Sequence, residues 1–166
     1  MLQPNESGAV EWHREPYTLS SDRNRIDIDR VFRFLAEESY WARDVTRDFV
    51  ARSIAGSLAL GIYCEGEQVG FARVVTDYTR LAYLMDVFID KAHRGRGLGT
   101  WLAETIRTHP DLTTVTRWLL TTVDAHGVYE RAGFVPVAHP EWLLEVVGPA
   151  LANGAEPTIP TDDNRK

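Results

Sequence analysis

The chain has 166 residues, a formal net charge of −6, and 44% hydrophobic and 25% charged residues. That size suits one domain with a substantial core, and the composition is that of an ordinary soluble globular protein. The acidic excess argues against a nucleic-acid partner, whose binding is driven by basic surface, and suits a cationic substrate such as an amine. No apolar run is long enough to span a bilayer, and the opening MLQPNESGAVEW lacks the apolar stretch of a signal peptide, so no membrane role is expected. The single cysteine, Cys64, excludes an internal disulfide and a cysteine-based metal cluster and points to a reducing cytoplasm.

In chain order, residues 1–8 are polar and read as a loose terminus. Residues 10–21 hold short extended pieces broken by Pro16, and His13 has no assigned role. Asp27 is an N-cap candidate for a helix with Ile28, Val31, Phe32 and Leu35 at helical spacing, ending near Ser39. Tyr40 and Trp41 follow in a loop between helices. Two readings stand: they plug the edge of the core, or they wall a pocket for a cation, which aromatic faces hold well. Thr46 caps a second helix, with Phe49, Val50 and Ile54 inward and Gly56 at its end. A three-stranded meander covers 57–64, 68–76 and 81–89, with turns at 65–67 and 77–80. Cys64 ends the first of these strands as a partly buried bystander.

The strand 81–89 is apolar nearly throughout, as in a strand covered on both faces. Asp86 interrupts it, and a carboxylate there is costly unless paired or functional. The chain then runs through MDVFIDKAHRGRGLGT, residues 85–100, into a helix over 98–108 that stops at Pro110. Leu98, Trp101, Leu102, Thr105 and Ile106 share one face of that helix. Gly95, Gly97 and Gly99 let several backbone amides point at one spot. The helix start adds its unpaired N–H groups, and Arg94 and Arg96 add full charges. Such a turn suits a phosphate or diphosphate. The spacing is neither that of the phosphate loop, since no Gly-Lys-Ser/Thr follows, nor the G-x-G-x-x-G of dinucleotide folds.

Residues 117–122 form the next strand, joined by a right-handed crossover and therefore parallel to 81–89. Asp124 opens a short helix in DAHGVYERAGF, where capping alone accounts for it. Gly133 closes that helix, residues 134–137 begin a further strand, and 142–147 form a final one. Residues 148–166, rich in Pro, Asn, Asp and Thr, read as a disordered tail, which leaves 9–147 as the domain. His93, His109, His126 and His139 are scattered without ligand spacing, so no metal is expected.

Arg94, Gly97 and Gly99 form R-x-x-G-x-G, with a strand directly before it and an amphipathic helix directly after. This resembles the acyl-CoA-binding motif of the GCN5-related N-acetyltransferases (GNAT family). YERAGF, residues 129–134, resembles that family's second signature, and the order of elements resembles its fold over 17–147. The resemblance implies an α/β (α+β) acyl-CoA N-acyltransferase fold. Its sheet is mixed and mostly antiparallel, with a central parallel pair that splays and helices on both faces. It implies acetyl-CoA as cosubstrate, contacted by Val87, Phe88 and Ile89 of the strand, by Arg94, Gly95, Arg96, Gly97, Leu98, Gly99 and Thr100 of the turn, and by His126. The implied activity is acetyl transfer to a primary amine of a small molecule by direct attack in a ternary complex. A non-catalytic acyl-CoA sensor and a protein N-terminal or lysine acetyltransferase are the alternatives. Homodimers are common in such a family.

In this scheme Tyr129 is the proton donor to the leaving thiolate, since a phenol with a pKa near 10 can serve a thiol near 8.5; its other reading is a core tyrosine. Tyr40, Trp41 and Tyr83 line the acceptor site. Asp86 is the first candidate for general base, set against a carboxylate paired with an arginine. By strand alternation Tyr83 and Met85 face away from Asp86. If theirs is the acceptor face, proton removal falls to Tyr83, a water chain or Glu38. His126 is either a relay or cofactor contact or a bystander. Many family members carry an Asn just ahead of this helix, and none occurs here.

Overall fold

A computed structural model describes residues 8–146. Strands β1 (Glu11–Arg14) and β2 (Tyr17–Ser20) form a hairpin. Helix α1 (Ile28–Arg33) continues as a wider π turn over Phe34–Glu38 and is followed by α2 (Arg47–Ala55). The meander is β3 (Leu58–Cys64), β4 (Glu67–Thr76) and β5 (Leu81–Ile89). Helix α3 (Leu98–Ile106), strand β6 (Arg117–Leu120) and helix α4 (His126–Arg131) complete the regular structure. The sheet order is β1-β2-β3-β4-β5-β6. Every neighbouring pair is antiparallel except β5 and β6.

Local chemistry explains most of these bounds. The Asp27 carboxylate accepts from Arg30 N–H at 2.9 Å, and Thr46 Oγ1 accepts from Phe49 N–H at 3.2 Å, so both helices start at side-chain caps. The β3–β4 turn places Glu65 and Gly66 at φ 52° and 89°, the paired left-handed conformation that suits hairpin twist. Asp77 holds the next turn by accepting three backbone N–H groups, from Thr79, Arg80 and Leu81. These bonds hold its carboxyl down at about 2.

The sheet separates two cores. Helices α3 and α4 cover one face, where Leu98, Leu102, Ala103 and Ile106 pack on Leu19, Leu60, Ile62, Ala82 and Leu84. On the other face Val31, Phe34, Leu35, Val50 and Ile54 pack on Ala59, Phe71 and Phe88. Each fully buried Leu or Ile in these layers stabilises the fold by about 2 kcal/mol.

Four expectations are corrected. Residues 134–137 and 142–146 form no strand, so the parallel pair lies at the edge of the sheet rather than at its centre. Pro136 lacks the N–H a ladder needs, and residues 140–142 turn as a 3-10 helix begun by Pro140. Phe49 points outward at 40% exposure, while Val50 and Ile54 carry the buried stripe. Asp124 does not cap α4; Thr122 Oγ1 accepts from Ala125 N–H at 3.0 Å instead. Finally, β6 ends at Leu120 and α3 at Ile106, each two residues short of the reading. The expected tail and the loose residues 1–7 lie outside the described residues.

Candidate active site

The glycine turn starts where β5 ends. A 3-10 turn over Lys91–His93 follows Asp90, and α3 begins at Leu98. Gly95 and Gly97 have φ of 74° and 73°, a left-handed conformation that disfavours any side chain. Arg94 N–H donates to Lys91 C=O, and Trp101 N–H to Gly97 C=O at 3.0 Å; between them, the amides of residues 95–100 have no backbone acceptor among the described residues. No atom lies within 4 Å of the place a Cβ on Gly95 would take. A run of free amides at the positive end of a nine-residue helix therefore meets open space beside Arg94 and Arg96. A diphosphate fits this cradle. Gly99 has a further reason to be glycine: its Cβ would stand 3.1 Å from Val128 Cγ1, so its absence lets α4 close on α3. Thr100 Oγ1 tightens the same contact by donating to Val128 C=O at 3.3 Å.

The seam beside this cradle is open. Pairing between β5 and β6 runs from Leu81 with Arg117 to Leu84 with Leu120 and stops, while β5 continues to Ile89. The backbone of residues 85–89 thus has no partner on the β6 side among the described residues. Asp90 N–H donates to Val69 C=O at 2.8 Å. Antiparallel alternation then puts the Phe88 backbone in the β4 ladder and turns the N–H and C=O of Val87 and Ile89 to the seam. Arg94 Nε donates to Ile89 C=O at 2.8 Å, tying the cradle to the seam. Phe88 stacks its ring on Phe34 at 4.0 Å between centroids.

Asp86 sits in a β-bulge. Phe71 pairs with Phe88 and Arg73 with Met85, so β5 carries one residue more than β4 in between. Asp86 takes the strain with φ 53°. The bulge reverses the alternation: Ala82 and Leu84 lie in the α3-side core, and past the bulge Val87 and Ile89 do, while Phe88 turns to the α1 side. The expectation that Tyr83 and Met85 face away from Asp86 is therefore overturned. Met85 shares a face with its cross-strand partner Arg73, and Arg73 Nε donates to Asp86 Oδ2 at 2.5 Å. Both side chains are only 11% exposed. Trp41 Nε1–H donates to Asp86 Oδ1 at 3.1 Å.

Tyr40 and Trp41 bridge the mouth of the seam. They meet edge to face at 4.9 Å, Trp41 leans on Phe34 at 6.3 Å, and Val123 N–H donates to the Tyr40 hydroxyl at 3.3 Å. Tyr83 completes the span with a hydrogen bond between its hydroxyl and Thr121 Oγ1. At 37% and 42% exposure Tyr40 and Trp41 remain accessible. Glu38 lies apart from Asp86, 3.9 Å from Arg30 and 4.0 Å from Lys91.

Tyr129 is buried on α4, edge to face with Phe134 at 5.9 Å. Burial pushes its phenol up to about 12, with Tyr40 and Asp124 adding to the effect, so it stays protonated at neutral pH. His126 is exposed at the start of the same helix. Both line a cavity of about 290 Å³ with Trp118, Leu120, Phe134 and Val135. That cavity follows β6, and its lining includes Thr121, the residue that meets Tyr83 at the mouth of the seam. No group of three or more His, Cys, Asp and Glu is placed to hold a metal ion among the described residues.

Two residues of this region escaped the sequence reading. Arg73 carried a signal, a charge inside the apolar run QVGFARVVT. Arg14, whose guanidinium reaches Arg96 C=O at 3.2 Å, carried none, because the contact spans 82 positions.

The family model described as "Acetyltransferase (GNAT) family" matches residues 9–134. The chain belongs to the GNAT acetyltransferase family. A Gibberella zeae relative named "Putative acetyltransferase FG08082" is 30% identical over 138 residues, covering 69% of this chain and 77% of that protein. A crystal structure of a GNAT-family protein from Xanthomonas campestris pv. campestris is 41% identical, with a TM-score of 0.78 over 83% of this chain and 97% of that one. A Clostridium acetobutylicum structure with acetyl-CoA is 15% identical and shares the GNAT fold, with a TM-score of 0.55 over 79% of this chain and 94% of that one. The mixed sheet with a parallel pair and helices on both faces is thus the GNAT fold.

Proposed function

We propose that this GNAT protein transfers an acetyl group from acetyl-CoA to a primary amine of a small molecule, by direct attack in a ternary complex. The observation that carries the proposal is the junction of a free-amide cradle with an unpaired stretch of β5. The thioester supplies the activated acyl group. The amides of residues 95–100, with Arg94 and Arg96, bind the diphosphate. The N–H groups of Val87 and Ile89 face the seam, where they orient the pantetheine arm and stabilise the negative charge that develops on the carbonyl oxygen. Tyr129 holds its proton and donates it to the departing thiolate. Tyr40, Trp41 and Tyr83 wall the acceptor side, where aromatic faces and the Asp86 carboxylate suit an ammonium group. Asp86, fixed by Arg73 and Trp41, accepts the proton that the ammonium must lose before attack.

The Arg73–Asp86 pair favours a second reading, acyl-CoA binding without transfer, because it occupies the carboxylate proposed as the base. A screen of small amines with acetyl-CoA, followed by release of free thiol, separates the two. The proposal expects acceptor-dependent release; CoA binding with no release for any amine, peptide or protein acceptor supports the second.

A further inference from the structure

The hairpin β1–β2 lies at the far edge of the sheet in pairing order, yet its tip docks on the glycine turn. Arg14 Nη2 donates to Arg96 C=O at 3.2 Å, and Nη1 to Gly97 C=O at 3.4 Å. Tyr17, paired with Arg14 across the hairpin, hydrogen-bonds through its hydroxyl to His93 Nδ1 at 3.0 Å. It also meets the His93 ring edge to face at 5.7 Å. His93 and Arg96 lie on either side of Arg94 and Gly95, so the hairpin grips the turn at both ends.

We propose that Arg14 is a positioning residue for the diphosphate cradle, acting through the turn's backbone rather than on the ligand. The inference rests on the cradle's proposed role in binding CoA. A trans peptide unit is planar, with its C=O and N–H antiparallel. The Arg96 carbonyl shares a unit with the Gly97 N–H, and the Gly97 carbonyl shares one with the Leu98 N–H. Holding both carbonyls toward Arg14 therefore aims both amides away from the hairpin, into the cradle. Gly97 C=O also accepts from Trp101 N–H, so that unit is fixed by α3 and by Arg14 together. The Arg96 unit has no helix bond to hold it and depends on the guanidinium. Gly97 on its C-terminal side makes the unit easy to rotate, so an external clamp has work to do here. The fork of Arg reaches two carbonyls at once, which the single ammonium of Lys does less well.

The test uses the full chain, without acceptor. Titrate CoA by calorimetry against the wild type, Arg14→Ala and Arg14→Lys, and measure backbone N–H order parameters of Gly97 and Leu98 by NMR relaxation in the free proteins. The clamp predicts about tenfold weaker CoA binding for Arg14→Ala, the loss of roughly one well-aimed hydrogen bond to a charged group. Arg14→Lys recovers part of the affinity, and the order parameter of the Gly97 N–H falls in Arg14→Ala before any ligand is added. Weaker binding with unchanged order at Gly97 overturns the clamp and makes Arg14 a direct phosphate contact. Unchanged affinity in Arg14→Ala overturns it as well. A wild type that binds no CoA refutes the cradle's proposed role, and the order-parameter comparison still tests whether Arg14 orders the turn.

Discussion

Replacing Arg73 by Met probes the bulge at the centre of the site. Arg73 and Asp86 are each 11% exposed, and their bond is the Asp86 carboxylate's one ionic partner among the described residues. Removing one member of a buried pair typically costs 3–5 kcal/mol, because the other charge is left without compensation. Here Trp41 Nε1–H still donates to Oδ1, and one edge of the pair touches water, so about 3 kcal/mol is expected. For a chain of 166 residues that lowers the melting temperature by roughly 6–12 °C. Asp86→Asn leaves Arg73 unpaired, but a long side chain can turn its head to solvent, so about 2 kcal/mol is expected. The double variant should lose less than the sum of the singles, with a coupling of about 2 kcal/mol. Urea unfolding of the four proteins measures all three values. Additivity within about 0.5 kcal/mol would refute the claim that these groups act as a buried pair.

Three further outcomes are expected. Tyr129→Phe should lower kcat by about 10²-fold with less than a twofold change in CoA affinity, read by steady-state kinetics and calorimetry; wild-type turnover would remove the tyrosine from the chemistry. His109 is fully buried, its Nε2 has no hydrogen-bond partner among the described residues, and burial pushes its ring below the ordinary 6.5 although Asp111 opposes this. The unfolded chain therefore takes up a proton near pH 6.5 that the folded chain refuses. Stability should fall as pH drops from 7 through that range, and His109→Asn should flatten the slope of urea midpoints; an unchanged slope contradicts the assignment. Gly61→Ala should cost about 1–3 kcal/mol in urea unfolding, because the new Cβ would lie 2.5 Å from Tyr63 Oη. Loss below 0.5 kcal/mol would show that the Tyr63 ring moves freely.

The parts legible in the sequence were those governed by neighbours in the chain. Asp27 and Thr46 announce helix starts because a cap bonds an amide three residues on. The bounds of β5 at Leu81 and Ile89 follow from a turn built by Asp77 and from the glycines beyond. The glycine cradle is likewise legible locally, since glycine takes φ of 74° and 73° at positions 95 and 97 without the cost a side chain would bring. What escaped depends on partners far away. The bulge at Asp86 arises from the register between β4 and β5, and the strand's own alternation hides it. The contact of Tyr40 with Val123 spans 83 positions, as does that of Arg14 with Gly97. The apolar run after Phe134 misleads for a related reason. Its periodicity suits a strand, but Pro136 and Pro140 deny it a regular ladder.

The central claim is that the turn after β5 and the unpaired stretch of that strand together hold CoA. Backbone amide chemical shifts recorded during titration with CoA test it most directly. The account predicts the largest changes at residues 95–100 and at Val87 and Ile89. Changes gathered instead around Glu130, Val135 and Val137, at the cavity along β6, with none at residues 95–100, would contradict it.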